Sequence, residues 1–230
     1  SYVSGLGILK RYGDKFKLIV CKNARVAGWE NNESGSVEKG SENDDKLECN
    51  IARARSKIFE YAMCNAWEYF CTLTISSKKY DRYNLGAYQK ALYKFLNNYQ
   101  TNNNCKIRYL LIPEQHDDGA WHMHGFFSGI PKEKLIENQY GYLDWSAYSK
   151  KFGYISLDKI KNHEACSKYI TKYISKDMAK CNRELNAHLY YCSKGLKTAE
   201  TIKKGLMVAP INPDYENDYV KIKWFDSVDV

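Results

Sequence analysis

The chain lacks the features that mark three large classes of protein. Its longest apolar runs are far too short to cross a bilayer, so we expect no membrane span. No G-x-x-x-x-G-K-[ST] segment occurs, which excludes the phosphate-binding loop of nucleotide-hydrolysing enzymes. The eight cysteines show no Cys-x-x-Cys spacing and no paired framework. We therefore expect free thiols in a reducing cytoplasm.

Histidine is also scarce, yet two of the five histidines in 230 residues stand one residue apart. His122 and His124 lie in a short apolar segment that predicts a strand, so at ~3.3 Å per residue their rings share one face about 6.6 Å apart. Glu114 ends the preceding apolar run, and residues 116–119 have turn chemistry that would join the two strands antiparallel. We predict a cation site formed by His122, His124 and Glu114, with coordination positions left open.

Two alternatives compete with a catalytic cation site. An HxH pair on a strand is often an incidental pair of partly buried histidines. The same donor set, two imidazoles and one carboxylate, also describes non-haem Fe(II) oxygenases. For the site itself, mixed nitrogen and oxygen ligands favour Mn²⁺, with Mg²⁺ as the other candidate.

A second segment places tyrosines beside lysines. From about residue 162 onward the spacing predicts a helix, and at ~100° per residue Tyr169, Lys172, Tyr173 and Lys176 fall within an arc of about 100°. A phenol has a pKa near 10, so a nearby cation is needed before it attacks at neutral pH. With 20 tyrosines in the chain, a pair four apart is common by chance. The informative feature is therefore the repeat Y-x-x-K-Y-x-x-K.

The chain is basic, with a formal charge of +8 and a pI near 8.9, and its lysines alternate with aromatic residues in several segments. Positive charge with stacking rings is typical of single-stranded nucleic-acid binding. A solvated lysine-rich surface would have the same composition. The candidate DNA contacts are Lys78, Lys79, Arg82, Lys168 and Lys194.

The patterns together predict an α+β fold, in which helices flank a central antiparallel sheet that carries the HxH strand. Strands are expected at 69–75, 106–114, 154–157 and 187–192, and helices at 51–67 and 85–99. Residues 1–60 would hold an N-terminal hairpin (6–21), a mobile loop (30–45) and the start of a helix. Residues 60–195 would form the endonuclease domain, and residues 196–230 a C-terminal extension of unclear role.

Three segments in this order resemble the motifs of the HUH (His-hydrophobe-His) endonucleases of the rolling-circle replication initiator type. They are Phe70-Cys-Thr-Leu-Thr-Ile-Ser76, His122-Met-His124 and Tyr169-x-x-Lys172-Tyr173. The resemblance covers roughly residues 60 to 195. The tyrosines follow the histidines, unlike in conjugative relaxases, which usually have a third histidine that the sequence pattern does not show. Two tyrosines separated by three residues are similar to the phage subgroup.

The resemblance implies a mechanism. A divalent cation, Mn²⁺ or Mg²⁺, on His122, His124 and Glu114 would polarise a phosphate of single-stranded or hairpin origin DNA. Tyr169 or Tyr173 would attack, leaving a 5′-phosphotyrosine and a free 3′-OH, and the ends would later be rejoined. Lys172 and Lys176 would stabilise the charge.

The resemblance also implies partners and a location. A separate helicase and polymerase would act with the initiator in the cytoplasm, that of a bacterial host if a phage or mobile element encodes it. The non-enzymatic alternative is a basic origin-DNA-binding module with an inert site. Against it, every expected catalytic position holds the active residue type.

Overall fold

The structure is a computed structural model that describes residues 4–22, 44–175 and 188–228. It confirms the α+β class, with two antiparallel sheets and, in the described residues, four α-helices. In chain order the elements are β1 (Ser4–Tyr12), β2 (Lys15–Cys21), α1 (Asp44–Cys64), β3 (Tyr69–Thr74), α2 (Leu85–Asn103), β4 (Arg108–Gln115), β5 (Trp121–Ser128), β6 (Leu135–Glu137), β7 (Leu143–Trp145), α3 (Ser146–Lys151), β8 (Ile155–Lys159), α4 (His163–Ile170), β9 (Tyr191–Cys192), β10 (Glu200–Val208), β11 (Tyr215–Glu216) and β12 (Val220–Phe225).

These elements form two compact units. Unit 1 comprises Ser1–Asn43 and Thr198–Val230, and unit 2 comprises Asp44–Lys197. The loop expected at 30–45 lies outside the described residues except for its last two, which begin α1. The functional division at residues 60 and 195 stays a prediction.

Unit 1 is a five-stranded antiparallel sheet in the order β10-β1-β2-β12-β11. The predicted N-terminal hairpin is confirmed as β1 and β2, and Gly13 supplies the positive φ of 61° in its turn. The C-terminal strands were not anticipated, because their burial alternates weakly and their sequence gives little period-two contrast.

Unit 2 is a seven-stranded antiparallel sheet, ordered β6-β7-β8-β3-β5-β4-β9, with helices on both faces. One apolar core lies between the sheet and α2 with α3, and it includes the predicted inward side chain Met123. A second core lies under α1 and α4, where Ile58, Ala62 and Ile170 are fully buried. This second face of the sheet carries the histidines.

The tyrosine segment departs from the predicted helix. α4 ends at Ile170, one 3₁₀ turn covers Thr171–Tyr173, and the backbone is extended at Ile174 (φ −90°, ψ 101°). Two contacts explain the early end. Thr171 Oγ1 donates to the Lys168 carbonyl at 2.8 Å, competing with helix hydrogen bonding, and Arg55 Nε donates to the Ile174 carbonyl at 3.1 Å. The expected continuation through Lys176 lies outside the described residues.

Two bulk expectations can be compared with the described residues. None of their helices is long and apolar enough to cross a membrane. The cysteines they contain are free thiols, and only Cys71 among them is buried.

Candidate active site

The register of β3, β5 and β4 brings the predicted site together. Across β5 from β4, Glu114 faces His122, and across β5 from β3, Thr72 faces His124 and Thr74 faces His122. The β4–β5 connection is the predicted tight turn, closed by His116 N donating to the Ala120 carbonyl at 2.9 Å. Antiparallel pairing therefore places carboxylate, imidazole and hydroxyl side chains on one face.

The donors that converge are Glu114, His116 and His124, each offering one ligand atom within 4.8 Å of the others. Glu114 Oε2 lies 2.6 Å from His124 Nε2 and 3.6 Å from His116 Nε2. When unprotonated, carboxylate oxygen and imidazole nitrogen are both acceptors, so one proton must lie between Glu114 and His124 in the cation-free protein. This cluster could hold a metal ion, and binding would displace that proton.

His116 is the residue that the sequence pattern assigned only to the turn. It follows β4 by one position, so Glu114 and His116 repeat the two-residue spacing of His122 and His124. That Glu-x-His spacing was the signal available in the sequence. The His122 ring stacks on the His116 ring at 3.7 Å between centroids, with 7° between planes. His122 thus adjoins the cluster, and its assignment as a ligand stays a prediction.

Two threonines of β3 contact the imidazoles from the side opposite β4. Thr72 Oγ1 lies 3.3 Å from His124 Nδ1, and Thr74 Oγ1 lies 3.2 Å from His122 Nδ1. A proton on Nδ1 that is donated to the hydroxyl leaves the Nε2 lone pair for a cation. In His124 it is Nε2 that faces Glu114.

Burial keeps the two histidines neutral near pH 7. Desolvation lowers the pKa of His122, and the neighbouring His116 lowers it further. Desolvation also lowers the pKa of His124, against the opposing effect of the Glu114 carboxylate. Neutral imidazoles are the form that binds metal ions.

The paired tyrosines lie directly over this cluster. The Tyr173 ring stacks on the His124 ring, with 4.2 Å between centroids and 6° between planes. The Tyr173 hydroxyl donates to the Tyr169 hydroxyl at 3.3 Å. Phe70 of β3 packs against both tyrosine rings, at 5.8 Å from Tyr169 and 6.5 Å from Tyr173. The 3₁₀ turn therefore keeps both phenols at the imidazole face even though the helix ends early.

The two phenols differ in their surroundings. Tyr169 is 46% exposed, and Lys172 Nζ lies 4.9 Å from its ring centroid. Tyr173 is half-buried, and its pKa is raised by desolvation and by its hydrogen bond to Tyr169. Lys176, the other predicted charge-stabilising lysine, lies outside the described residues.

The candidate DNA contacts are dispersed over unit 2, and three of them bind neighbouring side chains or backbone. Arg82 pairs with Asp118 at 3.3 Å, Lys168 pairs with Glu164 at 3.0 Å, and Lys79 donates to the Ser149 carbonyl. Lys78 and Lys194 are exposed. All five stay predictions as DNA contacts. Arg82 is the nearest to the turn with His116, because its carbonyl accepts from Trp121 N at the start of β5.

Fold and site together define a class: an α+β protein with a His/Glu cluster that could hold a metal ion, beside two adjacent tyrosines. Residues 68–178, a little under half of the chain, match the family model of the replication-associated protein ORF2. The matched segment contains every site residue described above, and the match supports a replication-initiator family. Searches of curated proteins and of solved structures found no match.

Proposed function

We propose that this protein is a replication initiator that nicks single-stranded origin DNA by tyrosine attack and later rejoins the ends. The observation that carries the proposal is the stack of Tyr173 on His124, because it places a nucleophile against a side chain of the candidate metal site. The match of residues 68–178 to a replication-associated family supports DNA as the substrate.

The residues present fit a divalent cation. Glu114 and His124 with His116 or His122 would hold it, and one carboxylate with two imidazoles suits Mn²⁺ and, less closely, Mg²⁺. When bound, such a cation supplies positive charge that stabilises the oxygens of a phosphate. Thr72 and Thr74 fix the orientation of the imidazoles through Nδ1.

In the cleavage step a tyrosine oxygen forms a bond to phosphorus while the bond from phosphorus to the 3′ oxygen breaks. The phenol proton passes to solvent, and the leaving 3′ oxygen takes up a proton as it becomes a free 3′-OH. The DNA 5′ end remains attached to the protein as a phosphotyrosine. Since one phosphodiester replaces another, the reverse attack by a 3′-OH can close the strand again.

Two tyrosines allow two such steps in succession. Lys172 lies over the Tyr169 ring, where its charge favours a phenolate on that residue. The raised pKa of Tyr173 means that this phenol needs added positive charge near the imidazoles before it loses its proton. We propose that the two tyrosines serve different strand transfers, one for initiation and one for termination.

The test incubates the protein with pooled single-stranded oligonucleotides and Mn²⁺, followed by denaturing gels and peptide mapping by mass spectrometry. We expect a covalent adduct on Tyr169 or Tyr173, no adduct with the double variant Tyr169→Phe/Tyr173→Phe, and DNA affinity within a few-fold of wild type. The control Tyr140→Phe/Tyr142→Phe, a solvent-exposed pair in unit 2, should form adducts normally. Residual nicking by the site double variant would overturn the nucleophile assignment, and no adduct in wild type would favour the inert binding module.

A second test addresses the cation. His124→Ala and Glu114→Ala should each abolish cleavage in Mn²⁺ while leaving the thermal melt close to that of wild type, because both groups lie at the partly exposed end of the sheet. His122→Ala and His116→Ala compared side by side will show which imidazole completes the ligand set. Cleavage that persists in chelator would refute the metal requirement.

A further inference from the structure

The sheet of unit 1 has two faces with different charge. Alternation along its strands and the register between them put Lys10 opposite Lys17 on one face, with Lys204 on the same face opposite Ile8. Adding Lys15 and the rings of Tyr12 and Trp224 defines what we call the lysine face. The other face, which we call the paired face, carries Arg11, Lys203, Lys221, Lys223, Glu200 and Glu216.

The carboxylates of the strands are confined to the paired face. The five strands of unit 1 contain two carboxylates, Glu200 and Glu216, and both contact cations of that same face. Arg11 pairs with Glu200, and Lys221 with Glu216 at 3.6 Å. On the lysine face the nearest carboxylate is Asp226, just beyond β12, which pairs with Lys15 at 2.5 Å. The lysine face therefore has a net positive charge that its strands do not neutralise.

The placement of these lysines is unfavourable unless an anion is bound. Like charges directly opposite each other on a sheet, as Lys10 and Lys17 are, cost roughly 0.2–1 kcal/mol. The same face exposes a stacking surface: Tyr12 and Trp224 pack edge to face at 5.0 Å, and Lys17 Nζ lies 5.3 Å from the Trp224 ring centroid. Leu206, on the same face of β10, is 81% exposed.

We infer that the lysine face binds the backbone of single-stranded DNA, as a second contact surface apart from the nuclease site. Lysines that follow neighbouring strands can track successive phosphates, and rings with apolar side chains beside them can accept unstacked bases. A sheet face offers no helix or ribbon to enter a duplex groove, so single strands fit better than duplex DNA. The choice of DNA as ligand rests on the proposed function.

Two adjacent lysines of β10 provide a matched test. Lys203 and Lys204 are both exposed and are neighbours in the chain, but Lys204 lies on the lysine face and Lys203 on the paired face. Binding of a labelled 20-nucleotide oligothymidine is measured by fluorescence anisotropy over a range of salt. We expect Lys204→Glu to weaken binding on the order of tenfold and to reduce the salt slope by about 0.7 per lost phosphate contact. Lys203→Glu should change affinity by less than about twofold.

A neutral triple variant on each face extends the comparison without introducing new negative charge. Lys10→Gln/Lys17→Gln/Lys204→Gln should lose more affinity than Lys203→Gln/Lys221→Gln/Lys223→Gln, although net charge falls equally. Equal losses in the two sets, or no loss in either, would overturn the inference. So would a lysine-face defect seen with phosphatidylserine vesicles but not with oligothymidine, since the occupant would then be a membrane surface.

The two proposals can fail separately. Failure of the proposed nuclease appears as absence of a tyrosine adduct in the wild-type protein. Failure of the lysine face appears as equal oligothymidine affinities for Lys203→Glu and Lys204→Glu, whatever the adduct assay shows. Circular dichroism melts of each variant check that unit 1 remains folded.

Discussion

Replacing Thr72 by valine tests how the strand beside the histidines prepares them for a cation. Thr72 Oγ1 lies 3.3 Å from His124 Nδ1, and His124 Nε2 lies 2.6 Å from Glu114. Valine has nearly the same shape but no hydroxyl, so the imidazole loses the contact that selects the Nδ1–H tautomer. The change therefore acts on the readiness of Nε2 to bind a cation and leaves the ligands themselves in place.

The expected size follows from the geometry. A neutral hydrogen bond of this length between partly buried groups contributes about 1 kcal/mol, which is roughly fivefold in an equilibrium constant. Loss of a partner behind a metal-binding histidine typically costs about 10- to 100-fold in metal affinity. Because the Thr72 contact is at the long end, we expect about a tenfold weaker affinity for Mn²⁺ in Thr72→Val.

Mn²⁺ affinity can be measured by isothermal titration and by the electron paramagnetic resonance signal of free Mn²⁺. Thr72→Ser keeps the hydroxyl and should bind close to wild type. Thr74→Val removes the corresponding contact to His122, 3.2 Å long. If His122 is a ligand, this variant weakens affinity to a similar degree, and if His116 takes that place, affinity is unchanged.

Wild-type affinity in Thr72→Val, with the melt unaltered, would refute the reasoning. The titration offers a second check, because the proton that lies between Glu114 and His124 should be released as the cation binds. The apparent enthalpy would then depend on the ionisation enthalpy of the buffer. No buffer dependence would show that the cation binds without displacing that proton.

Three further substitutions probe the scaffold of unit 2. Gly125→Ala should lower the free energy of unfolding by at least about 3 kcal/mol in urea titrations, because its Cβ would lie 1.9 Å from the Leu110 carbonyl oxygen; a wild-type midpoint would show that β4 can shift. Arg55→Met removes the donor to the Ile174 carbonyl, so tyrosine adducts should form several-fold more slowly with little change in the melt; an unchanged adduct rate would mean that the 3₁₀ turn holds without it. Asn65→Ala, at a buried amide that bonds backbone groups of two other segments, should cost about 2 kcal/mol by thermal melt, and a loss below about 0.5 kcal/mol would contradict this.

The strands that carry the histidines could be predicted because each has a local signal. Alternation around His122 and His124, turn residues at 116–119, and a carboxylate at the end of the preceding run gave the hairpin and its register. The Thr72 and Thr74 contacts follow from the same alternation once β3 pairs with β5. The order in which strands pair is a tertiary property, so these contacts could not be specified beforehand.

The tyrosine segment shows why propensity was insufficient. Helical periodicity from residue 162 is real, and Ile170 and Ile174 both enter the apolar core as that periodicity predicts. The periodicity does not report the Thr171 hydroxyl or the distant Arg55, which end the helix by binding carbonyls. Geometry at the Tyr169–Tyr173 pair depends on these contacts between segments far apart in sequence.

Unit 1 was missed for a different reason. Its sheet joins β1 and β2 to strands almost 200 residues later, and isolated strands with weak alternation carry no information about such partners. The sequence of 196–230 therefore indicated only an extension. The asymmetry of charge between the two faces became visible only with the register.

The connectivity of the two units has a consequence for synthesis on the ribosome. Unit 2 is one continuous segment, whereas the sheet of unit 1 needs β1 to wait for β10, as the Arg11–Glu200 pair, 189 residues apart, illustrates. During translation the nuclease unit can fold while the N-terminal hairpin still lacks both neighbouring strands and exposes its edges. A nascent chain arrested near residue 200 would thus display the tyrosines and histidines in folded form before the lysine face exists.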